Sequence, residues 1–131
     1  MTTGIIVTHG NLADELLSTA RTVFGNITDV HPVTNYQKSP QVLAQEIESI
    51  VKSFDAGARL VVFIDFWGGS CCHACLDVKQ RHDNIYLITG VNLPMLLAFL
   101  YKRDTMPFDE LVDELIERGR KSVRILDFES L

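Results

Sequence analysis

The chain has 131 residues, of which 47% are hydrophobic and 22% charged; this is enough for one domain with a buried core and excludes a disordered protein. Its net charge of −5 argues against a nucleic-acid partner, because binding to a phosphate backbone needs clustered lysine and arginine side chains. The odd, bunched set of three cysteines excludes the disulfide framework of a small secreted protein. We therefore expect a single domain over residues 1–131.

The first predicted elements are two strand–helix units. Residues 4–8 form an apolar, β-branched run typical of a strand covered on both faces, and Asn11 is placed to cap the helix that follows. The second unit has a strand over residues 27–33 and a helix that starts at Ser39 and Pro40, because serine is a frequent N-cap and proline fits the first helical turn.

Two further units follow with the same alternation. The third has a strand over residues 60–64 and a helix that ends near His82. The fourth has a strand over residues 85–89 and a helix over residues 93–102, a region whose apolar run is too short to span a bilayer. The N-terminus also lacks the features of a secretion signal, so we expect a cytoplasmic protein.

The C-terminal part predicts one more helix, from Pro107 to Gly119, and a final strand. Residues 122–128 alternate imperfectly between apolar and polar side chains, so we expect an antiparallel edge strand or a strand exchanged with a second chain. Strands that alternate with helices imply right-handed crossovers. The predicted fold is a three-layer α/β structure with a mostly parallel sheet, in the strand order 2-1-3-4, and helices on both faces.

His9 and Asp65 directly follow the first and third predicted strands. These strands are neighbours in the order 2-1-3-4, and ligands of such sheets bind where the strand order reverses, so we expect the two side chains to meet there. A histidine before a helix N-terminus is favoured in its neutral form and faces an environment that attracts phosphate, while a carboxylate on its other ring nitrogen fixes the tautomer. The alternative is that His9 is an ordinary surface residue.

Gly68, Gly69 and Ser70 predict a turn whose backbone N–H groups can face an anion, with the Ser70 hydroxyl as a further donor and as the N-cap of the next helix. The alternative is a turn with a cap and no ligand. The site also contains the residue types of a catalytic triad, but a nucleophile elbow needs glycine two residues after its serine, and Cys72 stands there. The sequence therefore disfavours a hydrolase.

Cys71, Cys72 and Cys75 crowd the first turn of the same predicted helix, together with His73. Cys72 and Cys75 lie three residues apart near a helix N-terminus, where thiol pKa values fall, so redox or metal chemistry is one hypothesis for the cluster. A structural zinc site takes its four ligands from separated pairs, and these residues are too crowded to converge on one ion. Packing of buried thiols is the simpler interpretation, and we expect no metal site.

Three separated motifs carry a family resemblance: GIIVTHG at residues 4–10, FIDFWGGS at residues 63–70 and GVNLPML at residues 90–96. With FDEL at residues 108–111 they cover the whole chain. In this order they resemble the mannose-family EIIA domain of the bacterial sugar phosphotransferase system (PTS).

The resemblance implies that His9 accepts a phosphoryl group on Nε2 from the phosphocarrier HPr, with Nδ1–H directed at Asp65, and passes it to a cognate EIIB for sugar uptake. It assigns phosphate contacts to Gly68, Gly69 and Ser70. It also implies a homodimer with an exchanged C-terminal strand, no cofactor, and at most indirect membrane association through EIIC and EIID. The sequence ends at Leu131 without a fused EIIB, so we expect EIIB to be either a separate protein or absent.

Two departures from the family pattern leave a second hypothesis open. Phe66 stands where threonine is frequent, and residues 71–75 replace a segment that usually begins with proline. The alternative function is a stand-alone regulatory phosphoacceptor, or a redox- or metal-responsive module, on the same fold.

Overall fold

The computed structural model describes residues 1–131 and contains four strands and five helices. The strands are β1 (Thr3–Thr8), β2 (Val30–Thr34), β3 (Leu60–Ile64) and β4 (Ile85–Thr89). The helices are α1 (Leu12–Phe24), α2 (Pro40–Lys52), α3 (Gly69–Arg81), α4 (Leu93–Lys102) and α5 (Phe108–Lys121). None of the helices is both long and apolar enough to cross a membrane.

The four strands form one parallel sheet in the order β2-β1-β3-β4, as the sequence predicted. β1 and β3 lie side by side in the centre, with Val7 paired to Ile64 near their carboxyl ends. The residues that follow these two strands therefore leave the sheet at the same edge, which is where a ligand site is expected in such folds.

Helices cover both faces of the sheet, which confirms the three-layer prediction. Ile6 and Phe63 face a core formed with α1, α4 and α5, whereas Ile5 and Val62 face a second core formed with α2 and α3. Successive strand residues point to opposite faces, so strands that serve two cores must be apolar throughout. This explains the unbroken hydrophobic runs of β1 and β3.

One predicted strand start and one predicted capping contact are wrong. β2 begins at Val30 rather than at residue 27. Asp29 has a φ of 57°, which lies outside the β region, so the strand cannot extend toward the N-terminus through this residue. The Asn11 side chain makes no capping hydrogen bond in α1. The Thr8 hydroxyl instead accepts the Ala13 backbone N–H at 2.7 Å, so the last residue of β1 holds the first turn of α1.

The predicted end of the last helix is also wrong, because α5 continues through Gly119 to Lys121. Gly119 is buried, and a Cβ there would lie 2.6 Å from the Met95 Cε atom, so this glycine lets α4 and α5 pack closely rather than ending a helix.

The segment that follows α5 forms no strand in the single chain. Neither edge of the sheet pairs with it, and a strand needs a neighbour for its backbone N–H and C=O groups. Its large apolar side chains are exposed; they are Val123, Ile125, Leu126 and Phe128. The exchanged strand, which needs a second chain, stays a prediction.

The buried guanidinium of Arg103 ties α4 to the loop before β2. The side chain, 6% exposed, donates to the carbonyls of Thr28 at 2.7 Å, Thr2 at 3.3 Å and Asp29 at 3.5 Å. We expect Arg103→Met to lower the free energy of unfolding by about 1.5–3 kcal/mol, because three backbone carbonyls lose their charged donor. Urea denaturation measures this loss.

Arg118→Met is the matched control for that prediction. Arg118 is exposed and pairs with Glu114 one helical turn away, an arrangement worth about 0.5 kcal/mol or less. Equal losses from the two variants would contradict the bridging role of Arg103.

Candidate functional site

His9 and Asp65 meet at the carboxyl edge of the sheet, as the sequence predicted. The Nδ1 atom of His9 lies 2.9 Å from Oδ2 of Asp65, and the backbone N–H of His9 donates to the same oxygen at 2.9 Å. The other carboxylate oxygen accepts the Phe66 backbone N–H at 3.1 Å. Since the carboxylate can only accept, this geometry assigns the proton to Nδ1 and leaves a lone pair on Nε2.

The Nε2 atom of His9 faces the start of α3. A Cβ at position 69 would lie 3.4 Å from Nε2, and only a glycine leaves this space open. Gly69 also has a φ of 75°, which residues with a side chain rarely adopt. The Phe66 ring stacks on the imidazole at a centroid distance of 4.6 Å and an angle of 19°, so one face of the histidine is covered.

The first turn of α3 can bind an anion. Its backbone N–H groups at Gly69, Ser70 and Cys71 have no intrahelical acceptor and no other hydrogen-bond partner in the chain. The positive end of the helix dipole adds to their attraction for negative charge. A phosphoryl group on Nε2 would therefore meet unsatisfied donors.

The structure corrects the predicted N-cap and gives Gly68 and Ser70 partners within the chain. Gly68, not Ser70, is the N-cap of α3, and its backbone N–H donates to the Cys72 thiol at 3.3 Å, so it is not free for phosphate. The Ser70 side chain lies in the first helical turn, and its oxygen accepts a hydrogen bond from the Asn35 amide at 3.2 Å.

Asn35 is a site residue that the sequence analysis missed. Its amide oxygen accepts the Gly10 backbone N–H at 3.3 Å, while its amide nitrogen donates to Ser70. It thereby links the loop after β1 to the start of α3. The available signal was its position directly after β2, whose carboxyl end lies next to that of β1.

Cys71 and Cys75 are buried in the core between the sheet and helices α2 and α3, which agrees with the simpler interpretation of the thiols. The expected lowering of the thiol pKa is wrong for Cys75, and the pKa of Cys71 is raised as well. Burial raises the pKa of Cys71 to about 11, with the nearby charge of Asp65 as a second cause, and burial also raises the pKa of Cys75. These thiols keep their protons at neutral pH.

The Cys72 thiol has a structural role, because its hydrogen bonds close the turn before α3. The thiol donates to the Phe66 carbonyl at 3.3 Å and accepts from the Gly68 N–H at 3.3 Å.

One group of residues with metal-binding side chains does converge. It consists of His9, Asp65 and Cys71, whose ligand atoms all lie within 4.8 Å of one another.

His31 and His82 lie away from this edge of the sheet. His82 contacts Glu48 at 2.8 Å, and hydrogen bonds from Arg81 and then His82 lower the pKa of that carboxyl to about 2. His31 packs against the Phe54 ring, and its buried Nε2 has no partner. Glu48 lies in α2 and Phe54 follows that helix, so both histidines contact residues in or just after α2.

Comparison with known proteins gives a family and several relatives. The family model EIIA-man, described as "PTS system fructose IIA component", matches residues 3–116. The mannose-specific EIIAB component of Escherichia coli (strain K12) is 33% identical over 129 residues, which are 96% of this chain and 40% of that protein. The chain thus spans less than half of that relative. The sorbose-specific EIIA component of Klebsiella pneumoniae is 26% identical, with 88% of this chain and 84% of that protein covered.

Solved structures give the same picture. The PTS component EIIA from Streptococcus agalactiae superimposes with a TM-score of 0.86 at 25% identity, over 100% of both chains. A mannose/sorbose specific IIA subunit from Enterococcus faecalis superimposes with a TM-score of 0.85 at 20% identity, over 97% of this chain and 96% of that one. At that identity, the second match shows the fold alone.

Proposed function

The chain belongs to the EIIA-man family of PTS components, and we propose that residues 1–131 act as one phosphoryl-carrier domain with His9 as the carrier. The domain would accept a phosphoryl group from phospho-HPr and pass it to a cognate EIIB, which phosphorylates a sugar during uptake. It would work without a metal or organic cofactor and contact the membrane only through EIIC and EIID.

One observation carries the proposal: Asp65 occupies Nδ1 of His9 while Nε2 faces the open first turn of α3. In the transfer step the Nε2 lone pair attacks phosphorus, a P–N bond forms, and the bond between phosphorus and the donor breaks with its electron pair left on the donor. No proton has to leave Nε2, because the tautomer is already correct.

The charged and polar groups around His9 suit both the gain and the loss of a phosphoryl group. The phosphorylated ring carries a proton on Nδ1, and the Asp65 carboxylate steadies the positive charge that develops there. The first-turn N–H groups at Gly69 and Ser70 would hold the phosphoryl oxygens. The Asp65 contact and the first-turn hydrogen bonds are noncovalent. They therefore orient the phosphoryl group on His9 and still allow a partner protein to remove it.

The surface around His9 suits protein partners. The His9 side chain is 35% exposed, and next to it Phe66 is half exposed while Trp67 is 86% exposed. Exposed aromatic side chains around a reactive group are typical of a protein-binding surface. HPr and EIIB must each bring a phosphoryl donor or acceptor to the same Nε2, so we propose that they use this surface in turn.

The test is transfer from a labelled donor. Incubation with phosphoenolpyruvate carrying labelled phosphate, enzyme I and HPr should label the wild-type chain with an alkali-stable, acid-labile group, and His9→Gln should take no label. Chase with EIIB should remove the label. Absence of label on the wild type, or equal label on His9→Gln, would contradict the proposal.

We also propose that the chain forms a homodimer by exchange of residues 122–128 onto the partner's sheet. The free edge of β4 and the exposed apolar residues after α5 support this pairing, since each needs a partner.

Sedimentation equilibrium tests the dimer. Ile125→Asp should weaken self-association about tenfold or more, because the exchanged strand would bury a carboxylate. Glu129→Gln lies beyond the predicted strand and serves as the control. A wild-type chain that is monomeric at high concentration would contradict the exchange.

A further inference from the structure

Cys71 places a thiol against the same histidine nitrogen that Asp65 occupies. Its Sγ atom lies 3.7 Å from Nδ1 of His9, and Oδ2 of Asp65 lies 2.9 Å from that nitrogen. The thiol is buried and the Asp65 side chain is 8% exposed, so two of these three groups are held in place by packing. Neither catalysis at Nε2 nor the capping of α3 uses this thiol.

These three atoms have the spacing of metal ligands. All of them lie within 4.8 Å of one another. A zinc ion holds nitrogen and oxygen at about 2.0–2.2 Å and sulfur at about 2.3 Å, so neighbouring ligand atoms in a tetrahedral site lie about 3–4 Å apart. Small side-chain adjustments would therefore bring the imidazole, carboxylate and thiolate onto one ion. A water molecule would complete the four-coordinate site.

We propose that His9, Asp65 and Cys71 form a binding site for a thiophilic divalent cation of the zinc type. The donor set of one nitrogen, one oxygen and one sulfur suits zinc, whereas magnesium and calcium prefer oxygen ligands alone. The two negative charges of the bound carboxylate and thiolate neutralise the ion. The site differs from the cluster of Cys71, Cys72 and Cys75 that the sequence suggested, since Cys72 closes a turn instead.

Binding of the metal ion moves one proton within the histidine ring and releases another to solvent. The metal–nitrogen bond takes the Nδ1 lone pair, so the ring proton moves from Nδ1 to Nε2. The metal–sulfur bond needs a thiolate, so the Cys71 proton leaves to solvent. The Asp65 oxygen exchanges its hydrogen bond from Nδ1–H for a bond to the ion. One proton is released for each ion bound, and no oxidant or reductant is involved.

Metal binding would oppose phosphorylation. Nε2 becomes protonated in the metal-bound form and has no lone pair for phosphorus, so the cation and the phosphoryl group compete for the same histidine. This consequence rests on the proposed function, whereas the metal site itself does not.

Titration with Co²⁺ tests the site directly. The wild-type chain should show a thiolate-to-cobalt charge-transfer band and the intense visible bands of a tetrahedral complex. Competition with Zn²⁺ should remove them and give the zinc dissociation constant. Cys71→Ser should lose the charge-transfer band and weaken zinc binding about tenfold or more, while Cys72→Ser, the matched control one residue away, should retain both.

His9→Gln provides a second variant at a part-exposed position, in case Cys71→Ser does not fold by circular dichroism. It should also weaken zinc binding about tenfold or more. A wild-type chain without a thiolate–cobalt band overturns the proposal. A folded Cys71→Ser or His9→Gln chain that binds zinc as tightly as wild type also overturns it.

The competition is tested by phosphorylation. At a zinc concentration about ten times the wild-type dissociation constant, the ratio of label on His9 without and with zinc should be about ten for the wild type and no more than about two for Cys71→Ser, with chelator restoring the wild-type label. Equal labelling of zinc-loaded and zinc-free wild type would overturn the competition. A chain that takes no label even without zinc would contradict the proposed function, while the optical titration still decides the metal site.

Discussion

Asp65→Asn is expected to slow phosphorylation of His9 by about 10²- to 10⁴-fold, the range seen when a positioned group that sets a proton is lost. In the wild type, one carboxylate oxygen accepts two hydrogen bonds from His9 and the other accepts the Phe66 backbone N–H. An amide offers only one accepting end. Whichever way it turns, its NH₂ group faces an N–H donor.

Two consequences follow for the histidine. With the NH₂ group toward His9, Nδ1 becomes the acceptor and the proton moves to Nε2, which is then not nucleophilic. With the NH₂ group toward Phe66, the correct tautomer survives but the carboxylate charge is gone. The developing positive charge on the ring then loses its partner, so transfer is slow in either orientation.

Rapid-quench labelling from phospho-HPr measures this rate. Asp77→Asn is a suitable control, because Asp77 is an exposed carboxylate on α3 that pairs with Arg81 away from the site. Labelling of Asp65→Asn within about threefold of wild type would show that the carboxylate does not set the tautomer, against the mechanism proposed.

The fold could be predicted from the sequence because the determining signals are local. The unbroken apolar runs of β1 and β3 indicate strands buried on both faces, and parallel strands need crossover helices. His9 and Asp65 could then be placed together, because each follows one of two neighbouring strands. The positions of His9 and Asp65 along the chain were therefore sufficient to predict that the two side chains meet.

The rest of the site depends on contacts that have no local signal. Asn35 acts through two hydrogen bonds to residues 25 and 35 positions away in sequence. The pKa of Cys71 depends on burial in a core that only the assembled helices create, which outweighs the effect of the helix N-terminus. The segment after α5 needs a neighbouring strand that one chain does not supply, so its alternation could not decide its structure.

Gly69→Ala is expected to slow phosphorylation by about 100-fold or more while lowering the free energy of unfolding by only about 1–2 kcal/mol, the cost of a left-handed alanine. The Cβ would lie 3.4 Å from Nε2, in the space that an incoming phosphoryl group needs. Because the space is blocked at the reacting atom, the rate should fall far more than the stability. Labelling kinetics and urea denaturation of the same preparation measure both quantities.

Gly68→Ala separates the steric effect from backbone strain. Gly68 has a φ of 93°, so alanine is strained there too, but a Cβ at this position meets no atom within 4 Å. Its N–H already donates to Cys72 and is not needed for phosphate. We therefore expect a similar or larger loss of stability with less than about a tenfold loss of rate. If Gly68→Ala slows transfer as much as Gly69→Ala, strain in the turn would explain both effects, and the open space over Nε2 would not be the reason for glycine at position 69.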